Sequence, residues 1–146
     1  QGIINILDKL SPEARNTIAI ENDEMCWGLD ESLQLEKHVA LVLDIHHHWI
    51  RDEEYIQAND DRVKRVIDSW RGIRPTLHYS VSREDVLIDH SGSQLPSHGA
   101  LIESGYSKQK LRAHSDYYWN EAVNDWALTF IDKFDMMCES KAKNHR

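Results

Sequence analysis

The run Leu41-Val42-Leu43-Asp44-Ile45-His46-His47-His48 decides how the rest of the chain is read. From Ala40 to Ile45 the residues are almost wholly apolar, as in a parallel strand buried on both faces. The strand then delivers one carboxylate and three imidazoles, groups that are costly at the edge of a core unless they are partnered. Carboxylate and neutral imidazole together form a ligand set for borderline divalent metals such as zinc, manganese or iron(II). Three other apolar runs finish in the same way. Thr17-Ile18-Ala19-Ile20 ends in Glu21, Ile73 to Tyr79 carries His78, and Phe134 to Cys138 runs into Glu139. The repetition of a metal-type ligand at the C-terminal end of four strand-like segments is the main signal.

The segments between these strands read as helices. Residues 2 to 10 place Ile3, Ile4, Ile6, Leu7 and Leu10 at helical spacing, closed by Ser11-Pro12. A short helix is expected from Asp30 or Ser32, either as N-cap, to His38. A longer one is expected from Asn59 to Arg71, with Val63, Val66, Ile67 and Trp70 on one stripe and Gly72 as its stop. Residues 80 to 115 form a long polar stretch, of a length that is uncommon unless functional or disordered. A further helix is expected from Tyr117 to Ile131, and Ser140 to Arg146 starts another. Alternation of this type implies a parallel sheet with right-handed crossovers. Ligands in such sheets bind beyond the carboxyl ends of the strands, so all four strand-end ligands fall on the functional edge. An open doubly wound sheet and part of an eight-stranded barrel both satisfy this pattern. No Gly-x-Gly-x-x-Gly or Gly-x-x-x-x-Gly-Lys element argues for a nucleotide site.

Bulk composition narrows the class. The 146 residues are 40% hydrophobic and 29% charged, which suits one ordinary globular domain. Apolar runs of a few residues fall far short of the ~20 needed to span a bilayer, so no membrane association is expected. The two cysteines, Cys26 and Cys138, are read as reduced thiols of a cytoplasmic protein rather than a disulfide framework. A net charge of −8 argues against a broad basic face for nucleic acid. A local cationic site remains compatible with that total, since bound divalent ions add charge that residue counts omit.

Five patches occur in a fixed order: Ile20-Glu21-Asn22-Asp23, Leu41 to His48, Arg74-Pro75-Thr76-Leu77-His78-Tyr79-Ser80, His114-Ser115-Asp116-Tyr117, and Asp135 to Lys143. Together they resemble the C-terminal half of the UV-damage endonuclease family, over residues 1 to about 143. The resemblance implies an α/β fold that is half of a (β/α)8 TIM barrel, about four parallel strands alternating with helices, as one partial-barrel domain over 1–146. It shares that barrel with endonuclease IV and the xylose-isomerase-like proteins. The implied activity is metal-dependent nicking of the phosphodiester immediately 5′ of a UV photoproduct in damaged double-stranded DNA. Manganese is the expected ion and zinc the alternative.

Carried over position by position, Glu21 is a bridging metal ligand, Asp44, His78 and Glu139 complete that site, and His47 and His114 hold another ion. Glu21, Asp44 and Glu139 are the catalytic carboxylates of the set. The chemistry needs such a cluster because an anionic phosphodiester repels hydroxide, and metals neutralise it and acidify water. Strict strand alternation would instead align His46 and His48 with Asp44. Selecting His47 requires the strand to end near Ile45 and the backbone to turn. Thr76 departs from the family, many of whose members carry a modified lysine at that place.

Plainer readings stand beside these. His46 and His48 are read as packing residues or as groups that orient carboxylates. His38, His90, His98 and His145 are read as solvated. Asp116 is an alternative helix N-cap beside His114, and Cys138 is read as a packed thiol. Lys108, Lys110 and Arg112 are the candidate phosphate contacts, with a solvated loop as the alternative. Trp27, Trp49 and Trp119 offer faces for base stacking, although aromatics near helix ends usually join the core. A half barrel leaves two raw strand edges, so a second copy is expected to cover them. The chain opens without methionine and is expected to be a fragment inactive by itself. The rival functions are a sugar isomerase or epimerase on the same fold, and a non-catalytic half barrel that self-associates.

Overall fold

Four parallel strands, β1 (Ala19–Glu21), β2 (Ala40–Asp44), β3 (Thr76–Tyr79) and β4 (Asp135–Cys138), form one sheet in the order β1-β2-β3-β4. The computed structural model describes residues 2–87 and 91–142. Helices α1 (Gly2–Leu7) and α2 (Pro12–Arg15) precede β1, and α3 (Leu29–Leu33) lies between β1 and β2. Helices α4 (Ile45–Asp52) and α5 (Asp61–Ser69) connect β2 to β3. Helices α6 (His98–Glu103), α7 (Lys108–Leu111) and α8 (Glu121–Leu128) connect β3 to β4. This is the parallel α/β arrangement expected of half a TIM barrel, with sequential strands as neighbours.

The pleat sorts the strand residues between two faces. Leu41, Leu43, Leu77 and Tyr79 are buried on the helix side, where Ile20 and Met136 join them against Leu33, Val63, Val66, Phe130 and Phe134. The alternate residues Glu21, Val42, Asp44, Thr76, His78 and Met137 therefore share the opposite face. Leu43 is inaccessible to solvent, and burying such a side chain contributes about 1.5–3 kcal/mol. Helix α5 also satisfies backbone groups of β2. Ser69 Oγ accepts from the Leu41 amide at 3.0 Å, and the Trp70 indole donates to the Leu41 carbonyl at 2.6 Å. At the start of β3, Arg74 donates to the Asp135 carboxylate at 2.8 Å and to the carbonyls of Ile131, Asp132 and Phe134. That guanidinium fastens the entry of β4 to the entry of β3.

Several boundaries differ from the sequence expectation, each for a local reason. The first helix stops at Leu7, and Ser11-Pro12 opens α2 instead of closing α1. Ser11 Oγ accepts from the Ala14 amide, and Pro12 occupies the first turn. Gly28, neither Asp30 nor Ser32, is the N-cap of α3. Its missing side chain leaves room for Arg51, whose Nε and Cδ crowd the place where a Cβ would stand. Helix α5 starts at Asp61, capped by Asp60, and α8 starts at Glu121, capped by Asn120 and not by Asp116.

The largest difference is α4. The strand ends at Asp44 and a helix begins at the next residue, because Asp44 Oδ1 accepts the His47 amide at 2.8 Å as an N-cap. The 80 to 115 stretch is also more ordered than its composition suggested. Ser97 and Ser107 cap α6 and α7, and Leu87 and Leu111 pack with Trp49 and Ile50 in a second small core. His98 is buried beneath Trp49 rather than solvated, His38 is half-buried with its Nδ1 3.5 Å from Asp8, and Cys138 is exposed rather than packed. Trp49 is buried, whereas Trp27 and Trp119 are half-buried against the core. His90, His145 and the end of the segment expected to be helical from Ser140 lie outside the described residues. Among the described residues no helix is long and apolar enough to cross a membrane.

Candidate metal centre

Parallel pairing places the strand ends at one rim. Asp44 is in register with His78 and His78 with Met137, while the Glu139 amide donates to the Tyr79 carbonyl at 3.0 Å just beyond β4. Glu21 ends β1 beside Val42. One ligand atom from each of Glu21, Asp44 and His78 lies within 4.8 Å of the others. His78 Nδ1 is 3.1 Å from Glu21 Oε1 and 3.5 Å from Glu139 Oε1. Three carboxylates and an imidazole thus converge from four different strands.

The turn at Asp44 brings in His47. Its Nδ1 lies 3.4 Å from Asp44 Oδ2 and 3.5 Å from Glu21 Oε1, and 2.9 Å from the Asn22 carbonyl. Helical geometry rotates His46 and His48 to other sides. His46 is buried between Ser80 and Ser82. Ser82 donates its hydroxyl proton to the Leu111 carbonyl, so it must accept from His46 Nε2–H, and His46 Nδ1 accepts from Ser80. Burial, aided by His114 and His47, pushes the His46 imidazole down to about 3 and keeps it neutral. His48 is buried with its Nδ1 3.0 Å from Asp52. The plainer reading of these two histidines describes their surroundings.

Electrostatics mark the centre as short of positive charge. Burial pushes the Asp44 carboxyl well above the usual range, reinforced by the Glu21 and Glu139 charges and opposed by the His47 amide and His78. Burial also acts to raise Glu21, but His78 and then His47 outweigh it and leave that carboxylate low. His78 is raised, chiefly by Glu21 and against the effect of its own burial. Asp44 Oδ2 and His78 Nδ1 are buried without a hydrogen-bond partner. The 3.1 Å approach of His78 to Glu21 is therefore close but not aligned as a hydrogen bond. Orphaned donor atoms of this kind, in a set of oxygen and imidazole ligands, fit a divalent cation.

Other predicted residues fall around this centre. His114 packs edge-on against His46 at 5.8 Å and its Nδ1 bonds the Glu139 carbonyl at 3.0 Å, which leaves Nε2 as its free ring nitrogen. An antiparallel bridge to Ser82 holds it there. Arg112, at the end of α7, forms an ion pair with Glu24, its Nε 2.8 Å from Oε1. Lys108 turns away to the Arg51 carbonyl at 3.0 Å and to Glu53, and Lys110 is exposed on α7. Thr76 is half-buried, one pleat below His78 and level with Asp135.

Two residues of the site carried no role in the sequence reading. Asn22 is buried, and its carboxamide both donates to the Asp44 carbonyl and accepts from the Asp44 amide, each at 2.9 Å. Glu24 is a buried carboxylate facing His47 and Arg112. The density of polar side chains in Glu21-Asn22-Asp23-Glu24 was the available signal, but only one of the four lies on the strand. Asp23 serves the loop itself, accepting the amides of Met25, Cys26 and Trp27.

Comparison with known proteins bears on the family of the chain. The chain is 28% identical over 142 residues to a UV-damage endonuclease of Schizosaccharomyces pombe, covering 92% of this chain and 20% of that protein. It is 30% identical over 83 residues to a UV-damage endonuclease of Neurospora crassa, covering 49% of this chain and 13% of that protein. The chain thus spans a fifth or less of the length of these curated relatives. No solved structure matches significantly. The family described as UV-endonuclease UvdE matches residues 2–146, and the chain belongs to that family.

Proposed function

We propose that the chain forms a metal-binding part of a DNA repair endonuclease that nicks the phosphodiester 5′ of UV photoproducts. Manganese is the ion we assign to it, with zinc as the alternative. The observation that carries the reading is the convergence of Glu21, Asp44 and His78 within 4.8 Å, with Glu139 alongside. When bound, the ion supplies charge neutralisation for the phosphate and acidification of water. Glu21, Asp44, His78 and Glu139 would hold it, and His47 and His114 offer nitrogens for a neighbouring one.

The residues themselves account for the other requirements. Glu21 Oε1 faces both His47 and His78. Asn22 holds the Asp44 backbone at both polar groups, so the carboxylate can stay fixed while its Oδ2 points into the centre. Arg112 and Lys110 lie on the segment that leads to His114 and are the proposed contacts to backbone phosphates of damaged double-stranded DNA. Strands β1 and β4 are unpaired on their outer sides among the described residues. We infer that efficient cutting needs that open sheet covered, by further barrel strands or by a second copy.

Supercoiled plasmid irradiated with UV tests the reading. With manganese, any nicking by the chain should fall at photoproducts and disappear in Asp44→Asn. Robust activity from the chain alone would overturn the need for a covered sheet. Manganese failing to bind at all would overturn the assignment of the centre.

A further inference from the structure

We propose that Glu24 supplies a carboxylate ligand to a second cation, shared with His47 and adjacent to the Glu21–Asp44–His78 cluster; this rests on the metal-binding reading above and adds a ligand to it. Glu24 lies three residues beyond the end of β1 and its side chain is 6% exposed. Its two oxygens do different things. Oε1 is ion-paired with Arg112, 2.8 Å from its Nε, and Oε2 lies 3.4 Å from His47 Nε2.

His47 Nδ1 is 2.9 Å from the Asn22 carbonyl, which only accepts, so Nδ1 carries a proton and Nε2 is the ring nitrogen turned to Glu24. That Nε2 meets a buried carboxylate oxygen at 3.4 Å without a hydrogen bond between them, a gap that a shared cation would fill. The spacing suits one. Two ligand atoms each about 2.1 Å from a shared ion subtend roughly the tetrahedral angle when they are 3.4 Å apart. The ring edge bearing Nδ1 faces Asp44 Oδ2, which has no hydrogen-bond partner, so His47 lies between the two positions.

Arg112 sets the strength of this second position. Its guanidinium holds the Glu24 side chain in place and offsets part of its charge, so the second cation should bind more weakly than the first. Removing the guanidinium should tighten it. A carboxamide at position 24 keeps the size and shape of the side chain beside Arg112, so Glu24→Gln tests the ligand role without opening a cavity.

The experiment is calorimetric titration of the chelator-stripped full chain with manganese chloride, repeated with zinc chloride, for wild type, Glu24→Gln, Arg112→Gln and His78→Ala. Two ions per chain are expected for wild type. Glu24→Gln should keep the tighter ion and weaken the other by at least about 10-fold, Arg112→Gln should strengthen the weaker one, and His78→Ala should lose the tighter. Nitrogen-15 spectra of the His47 ring give a second readout, with the Nε2 resonance shifted on addition of zinc. Wild type binding no ion defeats the parent reading together with this one. Wild type binding ions that Glu24→Gln leaves unchanged, or a His47 Nε2 that stays protonated in zinc, overturns this proposal and leaves the parent reading standing. Circular dichroism of each variant establishes that the fold is retained.

Discussion

Replacing Asp44 with asparagine should stabilise the metal-free chain and, in the same stroke, abolish its response to manganese. Asp44 has no solvent exposure. Its ligand atom lies within 4.8 Å of that of Glu21, a distance at which two unit charges repel by about 3 kcal/mol at an effective dielectric near 20, so the comparison is made at a pH high enough to ionise Asp44 despite its raised carboxyl. His78 offsets part of this, so relief on removing the charge should amount to about 1–3 kcal/mol. The N-cap survives, because the carboxamide oxygen can still accept the His47 amide. For a chain of this size each kcal/mol moves Tm by about 2–4 °C. In excess chelator, thermal unfolding followed by circular dichroism should therefore place the variant about 2–12 °C above wild type. Manganese at a hundred times its Kd should add about 2.7 kcal/mol to wild type and nothing to the variant, closing or reversing the gap. A variant that melts below wild type in chelator, or that gains as much from manganese, would refute the account of Asp44 as a carboxylate strained by the lack of a cation.

The remaining predictions concern the supports of the centre. Asn22→Ala should cost about 1–3 kcal/mol in urea unfolding, since it leaves the buried Asp44 amide without a partner; a loss below half a kilocalorie would show that water replaces it. His46→Phe should cost a similar amount by orphaning the Ser80 hydroxyl and removing the donor to Ser82, which keeps its bond to the Leu111 carbonyl, and should also loosen the segment that carries His114, read as faster amide exchange there. The Glu21–His78 pair makes a pH prediction. His78 is raised, so its stabilisation is complete below its unfolded value of about 6.5 and is lost as pH rises through its folded value. Glu21 is lowered, so its stabilisation is complete above about 4.3 and is lost as pH falls through its folded value. Metal-free stability should therefore fall above neutrality, and His78→Gln should flatten that fall; an unchanged slope would rule the pair out as its cause. Manganese affinity should rise over the same range, as the His78 proton no longer competes.

The order of strands and the rim on which ligands gather were legible because they rest on continuous apolar runs and on parallel topology. Glu21, Asp44, His78 and Glu139 each close or follow such a run, and their convergence needs no knowledge of loops. Helix α4 was not legible by the same rule. Asp44 is at once the last strand residue and the first helical cap, and a three-histidine run has no apolar periodicity to announce a helix. The resemblance to a family was what selected His47. The burial of His98, the contact between Glu24 and Arg112, and the double grip of Asn22 on Asp44 all join residues distant in sequence through loops. No local pattern encodes such meetings. Cys138 was misjudged because alternation gives the faces of a strand but not which face lies open at the end of a sheet.

Arg74 ties the opposite ends of β3 and β4 to one another through four carbonyl and carboxylate contacts, some distance along the strands from His78 and Glu139. Anchorage and reactivity are thus given to separate ends of the same two strands. Each end can be retuned independently: a substitution at the anchored end changes how many molecules are folded, while one at the reactive end changes what each folded molecule does. An engineer seeking a sturdier version of this sheet has a place to work that leaves the ligands alone.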